Sequence, residues 1–124
     1  MNITIEKNEK YNLVKVNEEK LTSMVAPDLK AQILYLHTQE YKPMIIDMTN
    51  VQYCDSSGLS AILVGNRLCR EANLNFILAG VQDHVRKLIT ISQLTNVLSL
   101  IPTLNEAIDL VFMEDVEKQL NKEH

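Results

Sequence analysis

Glycine is scarce in this 124-residue chain: Gly58, Gly65 and Gly80 are the only three, and they lie far apart. Dinucleotide and triphosphate loops need clustered glycines so that backbone N–H groups can wrap a phosphate chain. No such cluster exists. Cysteine is equally sparse. Cys54 and Cys69 are too widely spaced for a C-x-x-C pair or a metal knuckle, which points to reduced thiols and a cytoplasmic setting. Long apolar runs are missing as well, so no segment suits a membrane-spanning helix. The opening Met1-Asn2-Ile3-Thr4-Ile5-Glu6 lacks a basic stretch followed by an apolar core, so no secretory leader is expected. An excess of positive charge is absent too. A formal net charge of −4 removes any general attraction to nucleic acid or anionic membranes.

What the chain does have is the balance of an ordinary globular protein, 46% hydrophobic and 23% charged residues. The length suits a single domain over residues 1–124, large enough to bury a core without staples. There is no internal repeat, low-complexity tract or linker.

Two alternating segments, Ile3/Ile5 and Tyr11/Leu13/Val16, flank the polar turn Lys7-Asn8-Glu9-Lys10 and predict a hairpin. The charged stretch 17–22 reads as a loop. Pro27 opens a first helix over 27–39, with Leu29, Ile33, Leu34 and Leu36 at helical spacing. Met44-Ile45-Ile46-Asp47-Met48 is a short apolar run without alternation, which predicts a strand covered on both faces. A polar turn then leads into a helix over 58–72, whose stripe is Leu59, Ile62, Leu63, Leu68, Cys69 and Ala72. A strand over 74–79, a helix over 82–91 and a strand over 97–101 follow. Thr103-Leu104-Asn105-Glu106 fits a capping box, in which Thr and Glu satisfy each other's backbone donors. The helix it starts takes Ala107, Ile108, Val111, Phe112 and Val116 as its apolar face, and a tail from about residue 118 is expected to fray. Strands alternating with helices favour parallel pairing, so the fold class is α/β with a small mixed sheet.

Chemistry has few footholds. A serine-hydrolase elbow reads G-x-S-x-G, but Gly58-Leu59-Ser60 runs into Ala61-Ile62 without the second glycine. His37, His84 and His124 give no convergent setting, so no enzyme is expected and no cofactor is implied. Asp47 and Asp55 flank a turn at a strand's carboxyl end, where α/β folds bind ligands and where carboxylates also cap turns. Capping is favoured for Asp47, and both roles stay open for Asp55. Cys54 near a helix start reads either as a reactive thiol or as a small core residue; Cys69 reads as core. Arg67 and Arg70 read either as partner contacts or as a solvated helix face, and the solvated face is the better default. Ser56 and Ser57 read either as a turn with a helix N-cap or as hydroxyls displayed at an anion-favouring helix start.

The whole stretch Ile45-Ile46-Asp47-Met48-Thr49-Asn50-Val51-Gln52-Tyr53-Cys54-Asp55-Ser56-Ser57-Gly58-Leu59 resembles the signature of STAS domains, the sulfate-transporter and anti-sigma-factor-antagonist family. The likeness continues through the following helix to Leu104-Asn105-Glu106-Ala107. It implies a mixed sheet with helices packed mainly on one face. In antagonists of this family the second serine of Asp-Ser-Ser-Gly is phosphorylated by a kinase that doubles as an anti-sigma factor, and a phosphatase resets it. Carried over, Ser57 is the implied phosphorylation site. The partner-binding set is Thr22, Asp55, Ser56, Ser57, Gly58 and Arg67, and the implied partners are that serine kinase and phosphatase. One departure stands out: a Gly-Glu-Leu-Asp stretch common in the family is matched here by Glu19-Lys20-Leu21-Thr22. That departure favours the alternative of a constitutive, unphosphorylated STAS subunit in a transporter or signalling complex.

Overall fold

The computed structural model describes residues 2–122. In chain order the elements are β1 (Ile3–Lys7), β2 (Asn12–Val16), β3 (Lys20–Leu21), α1 (Ala26–Gln39), β4 (Met44–Asp47), β5 (Tyr53–Cys54), α2 (Ser56–Glu71), β6 (Phe76–Ala79), α3 (Asp83–Ile91), β7 (Ser99–Ile101) and α4 (Leu104–Lys122). The apolar run at Met44 forms the central strand, and its lack of alternation has the expected cause. Met44 and Ile46 face one core, while Ile45 faces a second on the other side of the sheet.

Five strands make one mixed sheet in the order β1-β2-β4-β6-β7. β1 and β2 form the antiparallel hairpin, with Ile3 opposite Val16. The remaining neighbours are parallel, with Ile45 level with Leu13 and Ile77. α1, α2 and α3 cover one face, where Leu29, Ile33, Ile62, Val85 and Ile89 meet Val14, Ile46 and Leu78. α4 alone covers the other, setting Ala107 and Val111 against Leu13, Ile45, Ile77 and Ala79.

The stretch expected as a loop over 17–22 contains β3. It pairs in parallel with β5, Lys20 beside Tyr53 and Leu21 beside Cys54. Two-residue strands are too short for alternation to mark them; burial of Leu21 and Cys54 on the shared inner side holds this pair in place.

α4 departs from its sequence reading at both ends. Thr103 Oγ1 accepts from the Glu106 N–H at 3.1 Å, as a cap should. The Glu106 carboxylate, however, takes the Thr103 hydroxyl at 3.2 Å rather than a backbone N–H. Of the expected apolar face, Ala107 and Val111 are buried and Ile108 is half-buried, but Phe112 and Val116 are exposed. The Phe112 ring stands edge-to-face with the buried Tyr11 ring, centroids 6.2 Å apart. The tail is helical through Lys122 because good helix formers continue there. Residues 123–124 lie outside the described part.

One polar side chain sits in the core without a partner. Asn12 is buried, and neither its Oδ1 nor its Nδ2 bonds any described residue. Its β2 position faces the same side as Val14 and Val16. Replacing an unpaired buried amide by an apolar group of similar shape removes a desolvation penalty. Asn12→Leu is therefore expected to raise unfolding free energy by about 1–2 kcal/mol, read as a higher urea midpoint at unchanged slope.

Candidate functional site

The Asp55–Leu59 loop is placed by the β3–β5 pair. The Glu19 carbonyl accepts from the N–H groups of Gln52 and Tyr53 at 2.8 and 3.1 Å, and the Leu21 carbonyl accepts from Asp55 at 3.2 Å. The chain thus arrives at α2 pinned on one side. Asp55 is extended, and its Oδ1 accepts from the Gly58 N–H at 3.0 Å. It is the N-cap, the role the sequence reading allowed to the serines. An aspartate reaches the third N–H of a helix well, and its charge suits the positive end of the dipole.

That assignment leaves the serines free. Ser56 and Ser57 occupy the first two positions of α2, Ser56 exposed and Ser57 half-buried. Neither hydroxyl bonds a described residue. Both open on a groove of about 480 Å³ between the first turns of α1 and α2, with Ser23, Pro27 and Lys30 on one bank and Ser56, Ser57 and Ser60 on the other. Two exposed apolar side chains belong to the segments that frame this loop: Met24 (84% exposed) follows Ser23, and Tyr53 (48%) lies on β5. Sequence reading passed over Met24 and Lys30; the signal for Met24 was an apolar residue stranded in the turn between Thr22 and Pro27.

Gly58 plays an internal part. It is buried, and a Cβ there would stand 2.5 Å from the Leu21 carbonyl oxygen and 2.7 Å from Cys54 Sγ. The close approach that only glycine allows is to β3 and β5, so Gly58 shapes the loop from beneath. Thr22 sits at the loop's flank, half-buried, with its carbonyl accepting from Val25 and Ala26 at the start of α1. Arg67 is not brought to this place. It lies ten residues further along α2, about 15 Å at the helical rise, exposed and 4.0 Å from Glu71.

The remaining candidates resolve into structure. Asp47 is buried and caps its own turn, accepting from the Thr49 N–H at 3.0 Å and from the Thr49 hydroxyl at 2.5 Å. Burial, reinforced by the Asp55 charge, pushes the Cys54 thiol up to about 12, so it stays protonated and unreactive near neutral pH. Burial likewise raises Cys69 to about 11. No three His, Cys, Asp or Glu side chains among the described residues group to hold a metal. No described helix is long and apolar enough to cross a membrane.

The family model for the STAS domain matches residues 2–107. The chain belongs to the STAS domain family. The match ends in the first turn of α4, so most of that helix lies beyond it. Solved structures agree in fold with this STAS domain. A STAS-domain protein from Planctomyces limnophilus superposes with a TM-score of 0.81 at 15% identity, over 88% of this chain and 97% of that one. A variant of RsbS from Moorella thermoacetica gives 0.79 at 19% identity, over 95% and 99%. SpoIIAA of Bacillus, an anti-sigma factor antagonist in its unphosphorylated form, gives 0.75 at 22% identity, over 88% and 95%.

Proposed function

We propose that this STAS domain is a cytoplasmic anti-sigma-factor antagonist, a binding module without turnover that is switched by phosphorylation of Ser57. The unphosphorylated form binds a serine kinase that is itself the anti-sigma factor, and so releases the kinase's target. Phosphorylation ends the binding, and a phosphatase restores it. The observation that carries this reading is the Ser57 hydroxyl, unengaged and open to a groove because Asp55 does the capping. Support also comes from SpoIIAA, a neighbour in fold that has been solved in both unphosphorylated and phosphorylated forms. Thr22, Asp55, Ser56 and Ser57, flanked by Met24 and Tyr53, form the contact surface in this proposal.

A phosphate at the second position of a helix need not melt it, since the dipole favours negative charge there. It adds roughly −1.5 to −2 charges beside Asp55, which repels an approaching partner and leaves the fold intact. The test is phosphosite mapping on protein from its native cell, with in vitro transfer from the kinase encoded nearest to it. Phosphate on Ser57, lost in Ser57→Ala, is the expected result. A native protein that binds its partner and never carries phosphate there would overturn the switch. That outcome would favour the second reading, a constitutive STAS interaction subunit, for which the specific observation is Glu19-Lys20-Leu21-Thr22 in place of the family's Gly-Glu-Leu-Asp.

A further inference from the structure

The groove that Ser57 faces carries a single formal charge. Of the side chains that line it, Lys30 alone is ionic, and it makes no ion pair with any described residue. Its neighbour in sequence, Asp28, lines a separate hollow with Asn2 and Gln32. Asp55, the carboxylate at the head of α2, is engaged with the Gly58 N–H. Lys30 follows Ala26 by one turn of α1, and helical side chains lean toward the turn before their own. That lean carries the long, flexible stem toward the first turn of α1, which lines the same groove as Ser57 at the first turn of α2.

We propose that Lys30 is the counter-ion of phosphorylated Ser57, drawing the phosphate down into the groove, where the Ser23 and Ser60 hydroxyls flank it. The inference rests on the reading of Ser57 as the acceptor and specifies how the modified state is held. A charge-assisted contact of this kind fixes the orientation of the phosphate. The phosphate then sits at the Ser57 end of the groove, and a partner loses the free ammonium it met before. Switching thus combines capture of that ammonium with a residual negative charge. Bare repulsion at the surface is only part of it.

The test uses the full-length chain with phosphoserine installed at position 57 by genetic encoding, so that no kinase is needed. A phosphorus NMR titration at low salt reads the second ionisation of the phosphate. Lys30→Met is expected to raise its midpoint by about 0.3–0.7 pH units, and Lys30→Arg to keep it within about 0.2 units of the native chain. The α2 N-terminus acts on the phosphate in all three proteins, so the difference isolates Lys30. Identical midpoints for the native chain and Lys30→Met would overturn the proposal. A native protein never phosphorylated at Ser57 sinks the switch, whereas this titration decides the role of Lys30 whatever happens in the cell.

Discussion

Ser57→Asp is expected to weaken binding to the proposed kinase partner by about a hundredfold, while Ser57→Ala stays within about threefold of the native protein. The reasoning is electrostatic and local. A carboxylate at this position adds one charge next to Asp55, on the bank of the groove a partner must cover. Like charges brought together in an interface cost several kcal/mol, and each 1.4 kcal/mol is a factor of ten. The fold itself has no reason to object. Position two of a helix accepts an acidic residue readily, and the Ser57 hydroxyl makes no bond to a described residue that its loss would break. Urea denaturation of Ser57→Asp should therefore agree with the native chain within about 0.5 kcal/mol. Calorimetric titration of the two variants against the kinase gives the answer. Equal affinities would end the switch model, and a large loss of stability in Ser57→Asp would mean the hydroxyl is structural after all.

The sequence announced this loop better than it explained it. The strand at Met44, the helix beginning near Gly58 and the run from Asp55 to Leu59 were legible because each rests on a local pattern: unbroken apolarity, a wide helical stripe, a polar turn between them. The N-cap was less so. Serine and aspartate are both good caps, and only the extended backbone at Asp55 with its bond to Gly58 separates them. The β3–β5 pair was invisible, since a two-residue ladder leaves no period to detect; its cause is Leu21 reaching the core from a charged neighbourhood. On α4, apolar spacing at Phe112 and Val116 was read as burial. Periodicity reports which residues share a helix face, and α4 outruns the sheet: Val111 already lies beside Lys10, Pro43 and Asn75 at the strand ends, so the turns beyond it have little sheet to cover them. What could not be read at all was the opposite bank of the groove. Lys30 and Met24 come from a different element than Ser57, and only tertiary packing of α1 on α2 brings Lys30 to the same groove.

Gly58→Ala should be the most damaging single methyl group that can be added near this site, lowering unfolding free energy by about 2–3 kcal/mol. The new Cβ would meet the Leu21 carbonyl oxygen at 2.5 Å, Cys54 Sγ at 2.7 Å and Leu21 Cγ at 2.8 Å. One of these atoms is backbone and cannot rotate aside. Alanine's advantage over glycine in a helix is at most about 1 kcal/mol and is smaller in the first turn, so strain wins. Relief requires the head of α2 to lift from β3, which breaks the 3.2 Å bond from Asp55 to Leu21 and disturbs the cap on Gly58. Partner binding should then fall as well, by misplacing Ser57. Adding Cys54→Ala to the variant removes one of the three clashes and should restore part of the stability, a coupling that a double-mutant cycle measures directly. The two substitutions at neighbouring positions thus carry opposite signatures. Ser57→Asp changes affinity at constant stability, while Gly58→Ala changes stability first and affinity through it. A Gly58→Ala protein with the native urea midpoint would show that α2 does not press on β3, and the account of how this loop is held in place would fail with it.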